Sequence, residues 1–170
     1  MPTSDRRNGA DDRPRVLLIA SGGGHWTQLL RLRPAWRGCD VAYATTGAGY
    51  RRDIEQADDG DRPRFYVIPP ANMHQKVRLA RQLLAIMRLM VRERPDAVVT
   101  TGASAGYFAL RAGRILGSRT VWVDSIANAA ELSLAGRRVG PYADLWLTQW
   151  AELAGEPGNG ERLAFRGAVI

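Results

Sequence analysis

The run Arg15-Val16-Leu17-Leu18-Ile19-Ala20 constrains the fold more than any other stretch of the chain. It is apolar without alternation, too short for a core helix, and stopped by Ser21-Gly22-Gly23-Gly24. A strand that is apolar at successive positions buries both faces, the habit of parallel sheets covered by helices on each side. From His25 to about Trp36 the pattern turns helical, with Trp26, Leu29, Leu30 and Leu32 on the apolar side. The alternation then recurs. Further strands are expected at Asp40–Thr45, Arg64–Ile68, Ala97–Thr101, Arg119–Val123 and Asp144–Thr148, with a last one within Arg162–Val169. Helices are expected at Tyr50–Ala57, at Gln75–Arg92 before Pro95, and from the turn at Gly102–Ser104 through about Leu116. Strands alternating with helices form βαβ units, so the expected class is α/β, a parallel sheet with helices on both faces.

With 170 residues, 45% apolar and 24% charged, the chain has the balance of a soluble globular domain. Residues 1–14 are polar, rich in Gly, Pro and Asp, and aperiodic, which marks a disordered leader. Residues 15–170 then form one domain, since two nucleotide-binding domains of roughly 100–150 residues each do not fit. A single cysteine, Cys39, excludes an internal disulfide and a Cys-based zinc site, and suits a reducing compartment. No apolar run approaches the ~18–20 residues of a membrane-spanning helix. The N-terminus lacks the apolar core of a signal peptide. The expected location is cytoplasmic, with contact to a membrane surface left open.

Glycines between a buried strand and a helix let the backbone turn sharply and bring N–H groups close to a ligand. The helix N-terminus adds roughly half a positive charge, so Gly22, Gly23 and Gly24 suit a phosphate or pyrophosphate; a tight turn with nothing bound is the alternative. A dinucleotide fingerprint is not present. The G-x-G-x-x-G spacing fails at Thr27, and the second strand ends Ala44-Thr45-Thr46 without an acidic residue for a ribose. No G-K-[ST] follows the glycines, which excludes a P-loop, and an oxidoreductase using NAD(P) is disfavoured. His25 stands at the mouth of the loop, where an imidazole can take a proton from a hydroxyl or merely donate to a phosphate. Thr100-Thr101-Gly102-Ala103-Ser104 repeats the design at a later strand end, with Thr101, Gly102 and Ser104 as phosphate contacts, Ser104 alternatively as an N-cap. Asp124 and Asn128 follow another buried strand and suit sugar hydroxyls or the capping of a helix. The two histidines, His25 and His74, give no metal spacing, and nothing calls for a cofactor.

The formal charge is 24 − 17 = +7, and its placement is uneven. Lys76 to Arg94 holds six bases against Glu93, five of the seven net charges. On a helical wheel Arg78, Arg81, Gln82, Arg88 and Arg92 fall in an arc of about 120°. Val77, Ala80, Leu83, Leu84, Ile86, Met87, Met90 and Val91 fill most of the rest. An Arg stripe beside a broad apolar face suits an anionic membrane surface; a core helix with one solvated face is the alternative. No aromatic platform accompanies the charge, so nucleic acid is not an expected partner.

Taken in order, three segments carry a resemblance: VLLIASGGGHWTQLLRL (Val16 to Leu32), VVTTGASAG (Val98 to Gly106) and VDSIANAAELSLAGRRVGPYADLWLTQWAEL (Val123 to Leu153). They resemble the bacterial exopolysaccharide-synthesis half-glycosyltransferases and the eukaryotic membrane-anchoring subunit of the UDP-N-acetylglucosamine transferase acting on dolichyl-pyrophosphate sugars. The third segment is the most specific, with its S-L-x-G-R, P-x-A-D and Q-W order. The family is similar to the N-terminal half of a GT-B glycosyltransferase, which implies a Rossmann-like domain. It implies an acceptor-binding, membrane-recruiting subunit working on a polyprenyl-pyrophosphate-linked sugar in polysaccharide synthesis, with a small partner subunit binding the UDP-sugar. By that analogy Gly22, Gly23, Gly24, Thr101 and Gly102 contact the pyrophosphate, and His25 matches a histidine proposed as base. Gln28 and Asp124 stand where relatives usually have Glu, and the second loop lacks a proline often found there. Unlike the eukaryotic subunit, no N-terminal anchor is apparent, so Arg78, Arg81, Arg88 and Arg92 become the expected contact with the inner face of the cell membrane. A non-catalytic scaffold for a separate glycosyltransferase is the competing reading.

Overall fold

The computed structural model describes residues 12–55, 63–71, 75–155 and 163–169. Residues 1–11 of the expected leader, the acidic residues Asp58, Asp59 and Asp61, and His74 lie outside them. The strands are β1 (Arg15–Ile19), β2 (Asp40–Thr45), β3 (Arg64–Val67), β4 (Ala97–Thr100), β5 (Arg119–Val123), β6 (Leu145–Thr148) and β7 (Leu163–Phe165). The helices are α1 (Gly24–Arg31), α2 (Arg51–Glu55), α3 (Lys76–Glu93), α4 (Ala103–Leu116) and α5 (Leu134–Val139). All seven strands run parallel in the order β3-β2-β1-β4-β5-β6-β7. The fold is a Rossmann-like α/β sheet, as the strand pattern predicts.

Leu17 and Ile19 of β1 join Ala42, Ala44 and Val98 under α3 and α4, with Trp122 and Trp146 further along that face. Val16, Leu18 and Ala20 point the other way, toward Trp26 and Leu29 of α1 and Ile54 of α2. That double burial is why β1 is apolar throughout. The sheet reverses its winding between β1 and β4, and the crevice at the carboxyl ends of two such strands is where ligands of open α/β sheets bind.

Several boundaries differ from expectation. Helix α1 stops at Arg31 and the chain passes into a 3-10 turn at Arg33–Trp36, because Pro34 lacks an N–H and disfavours helix at the residue before it. Strand β7 covers only Leu163–Phe165; beyond it Gly167 takes a φ of 104°. Helix α5 has too few apolar positions for a periodic signal, yet Ser133 caps it by accepting from the Gly136 N–H at 2.8 Å.

Helix α3 packs by a narrow stripe: Gln82, Ile86, Leu89, Met90 and Glu93 are buried. Gln82 therefore does not belong to the Arg face. It is 1% exposed, donates from Nε2 to the Pro69 carbonyl at 2.8 Å, and accepts from Ser104. Conversely, Val77, Leu84 and Val91 are 68%, 50% and 57% exposed. A stripe this narrow is enough for docking on α4, so the surplus apolar residues turn outward.

At the opposite edge, Arg64 forks onto Asp40 at 2.7 and 3.1 Å and reaches the buried Glu93 at 2.8 Å, while Tyr66 donates to Glu93. The Asp40 hydrogen bond, with Glu93 beside it, raises the Arg64 pKa further above its ordinary value despite partial burial. Burial first, then the Glu93 hydrogen bond, pushes the Tyr66 phenol up. The cluster joins the starts of β2 and β3 to the end of α3, away from the glycine turns.

Candidate functional site

The turns after β1 and β4 meet side by side. Gly23 (φ 70°) precedes α1 and Gly102 (φ 130°) precedes α4, and neither helix start has a capping side chain. Positive φ at these points is what glycine permits without strain. Ala103, the first residue of α4, also sits at φ 64°, a conformation costing a residue with a Cβ about 1–2 kcal/mol. Among the described residues, the two adjacent helix starts thus have no side-chain acceptor for their first-turn N–H groups, an arrangement suited to an anion.

His25 bridges the two turns. Its Nδ1 lies 2.8 Å from the Thr101 carbonyl oxygen. The Thr101 hydroxyl donates back to the His25 carbonyl at 2.6 Å. The imidazole lies against the bare Cα of Gly102; a Cβ there would stand 2.8 Å from Cε1. Thr100 Oγ1 accepts from the Gly102 N–H at 3.1 Å and lies where a Cβ on Gly106 would fall, at 2.0 Å. The second turn is therefore shaped by packing as well as by backbone freedom.

The first turn is partly engaged from within. The Gly22 N–H donates to Thr46 Oγ1 at 3.1 Å and the Gly23 N–H to the Tyr50 hydroxyl at 2.8 Å. The Tyr50 ring fills the space that side chains at Gly22 and Gly47 would need and leans on Trp26 with ring centroids 5.5 Å apart. Of the three loop glycines, Gly24 is the one at the helix start itself. Thr46 and Tyr50 have no local signature in the sequence; a tyrosine seated on glycines twenty-odd residues away is a tertiary contact.

Ser104 is not an N-cap, since Gly102 holds that position. Its hydroxyl donates to Gln82 Oε1 at 2.9 Å, tying α4 to α3. Asp124 is likewise inside the fold, at 1% exposure, not open to a sugar. Its carboxylate accepts from Trp122 Nε1 (3.1 Å), Asn128 Nδ2 (3.0 Å), the Ser133 N–H (3.2 Å) and the Ser133 hydroxyl (2.9 Å). Asn128 is thus held by Asp124 and caps no helix; Ser133 does that. Gln149 joins the parts: its Nε2 donates to the Asp124 carbonyl (2.8 Å) and to Gln28 of α1 (3.1 Å), and its Oε1 accepts from the Val169 N–H (2.7 Å). Arg78, Arg81, Arg88 and Arg92 are all exposed on α3, beside the outward apolar residues. No helix among the described residues is long and apolar enough to cross a membrane.

No family model matches the chain. It is 30% identical over 177 residues to the UDP-N-acetylglucosamine transferase subunit ALG14 of Eremothecium gossypii, covering 88% of this chain and 79% of that protein. It is 22% identical over 163 residues to the subunit of the same name in Yarrowia lipolytica, covering 83% and 76%. The crystal structure of Acinetobacter baumannii MurG superposes with a TM-score of 0.68 at 20% identity, over 91% of this chain. The chain spans 46% of MurG, about half its length, and shares with it the Rossmann-like half of a GT-B fold. With the glycine turns, the His25 bridge and the sheet order in place, the sequence likeness decides the family: the chain belongs to that of the UDP-N-acetylglucosamine transferase subunit ALG14.

Proposed function

We propose that this chain is the acceptor-binding, membrane-recruiting subunit of a two-subunit, UDP-sugar-dependent glycosyltransferase acting on a polyprenyl-pyrophosphate-linked sugar in polysaccharide synthesis. The observation that carries the reading is the pair of uncapped helix starts at the β1/β4 crevice with His25 between them. The N–H groups at Gly24 and His25 and at the start of α4 take the pyrophosphate, with Gly22, Gly23, Thr101 and Gly102 shaping the turns. An acceptor hydroxyl gives its proton to His25 and its oxygen bonds to the donor's anomeric carbon. The carbon–oxygen bond to UDP breaks, its electron pair leaving on the phosphate, and the anomeric centre inverts. The match to half of MurG and the name of the Eremothecium gossypii and Yarrowia lipolytica relatives as subunits support a separate chain for the UDP-sugar.

Affinity purification from the native cells tests this directly. The expected co-purifying protein is a small chain with a UDP-sugar-binding domain. The pair turns over UDP-N-acetylglucosamine with a lipid-pyrophosphate sugar, and this chain alone does not. Turnover by the purified chain alone contradicts the split-enzyme reading.

The membrane contact in this reading is α3. Val77, Leu84 and Val91 lie seven residues apart, in line along the exposed face, with Arg81 and Arg88 between them. Apolar side chains flanked by guanidinium groups match the interface of an anionic bilayer on the cytoplasmic side. Each arginine near such a surface contributes about 1 kcal/mol. Arg81→Gln with Arg88→Gln is therefore expected to weaken binding to vesicles containing an anionic lipid about thirtyfold. Co-sedimentation with anionic and neutral vesicles measures it; equal binding by variant and wild type removes α3 from the membrane.

A further inference from the structure

We propose that Thr101 is a positioning residue for His25, setting which ring nitrogen is free and where it points; this rests on the reading of His25 as the base. A carbonyl oxygen only accepts, so the 2.8 Å contact with the Thr101 carbonyl places the hydrogen on Nδ1 and leaves the lone pair on Nε2. The Thr101 side chain acts in the reverse direction. Its hydroxyl, on a residue with 0% exposure, donates to the main-chain carbonyl of His25 at 2.6 Å. Each residue thus holds the other's backbone, joining the first turn of α1 to the end of β4. Turning the ring breaks the first bond, and sliding α1 along the sheet breaks the second. Gly102 completes the seat by letting the ring lie against its Cα. When Nε2 takes the acceptor's proton, the new charge forms on a ring whose Nδ1–H already faces an oxygen, and the site needs little rearrangement.

The test uses the reconstituted two-subunit enzyme with three variants, Thr101→Val, Thr101→Ser and His25→Ala. Thr101→Val keeps the shape and the carbonyl but loses the hydroxyl, so α1 is free to shift. The expected result is a fall in kcat of about tenfold to a hundredfold with little change in KM for the acceptor, as for a base displaced by a fraction of an ångström. Thr101→Ser restores most of the rate. A readout independent of turnover is the long-range proton–nitrogen NMR spectrum of the His25 imidazole in the full chain. Wild type shows a single Nδ1–H tautomer, and Thr101→Val a mixture. The proposal is overturned by a wild-type ring protonated on Nε2, or by Thr101→Val matching wild type in kcat while His25→Ala is inactive. If His25→Ala keeps normal turnover, the base assignment fails, and the positioning role with it.

Discussion

In the proposed pairing with a donor-binding subunit, the His25→Ala chain is expected to turn over about 10²–10⁴-fold more slowly than wild type, the range of a lost general base. The binding steps are little affected, because the backbone N–H groups of both turns remain and the Thr101 hydroxyl still meets the residue 25 carbonyl. The change therefore appears in kcat and leaves the KM values of donor and acceptor close to wild type. Steady-state kinetics on the reconstituted pair, with both substrates varied, separates the two. A scaffold without catalytic residues predicts the opposite, near-normal kcat, and that result would return His25 to a phosphate contact.

Asp124→Ala is expected to strike stability harder than any other single change at the site. Four donors from Trp122, Asn128 and Ser133 converge on this carboxylate in a place closed to water. Deleting it orphans several buried donors at once, and such losses cost about 3–5 kcal/mol. In a chain of this size that lowers Tm by roughly 10 °C, given about 2–4 °C per kcal/mol. Asp124→Asn retains one oxygen acceptor and loses less. Thermal and denaturant unfolding of the three proteins checks the order wild type, Asn, Ala. Were Asp124 a sugar ligand, the Ala variant would keep its Tm and raise KM for the acceptor.

The sheet was legible because its signals are local. Apolar runs such as Val16–Ala20 and Val98–Thr100 leave no other state for their burial, and Gly22–Gly24 and Gly102 mark where the chain must turn. The positions of His25 and Thr101, each at a strand-to-helix turn, were legible. Their mutual hydrogen bonds were not, because 76 residues separate them and neither bond leaves a periodic trace. Gln82 misleads for a related reason: a glutamine among arginines reads as solvated, yet its bonds to the Pro69 carbonyl and the Ser104 hydroxyl take it inside. Gln28 with Gln149, and Asp124 with Ser133, are likewise polar pairs whose meaning exists only once the sheet has assembled.

The sheet order also sets a timetable for folding. β1 finds β2 after a short connection, but its other edge waits for β4, whose first residue comes some eighty positions later. Closing so long a loop is slow, and parallel pairing gives no shortcut. During synthesis the chain therefore passes through a stage in which Leu17 and Ile19 line an open sheet edge and the two glycine turns are still strangers. A nascent chain released at that stage exposes an apolar strand ready to pair with a neighbour, so truncation before Thr100 leaves an aggregation seed where the folded chain has a crevice.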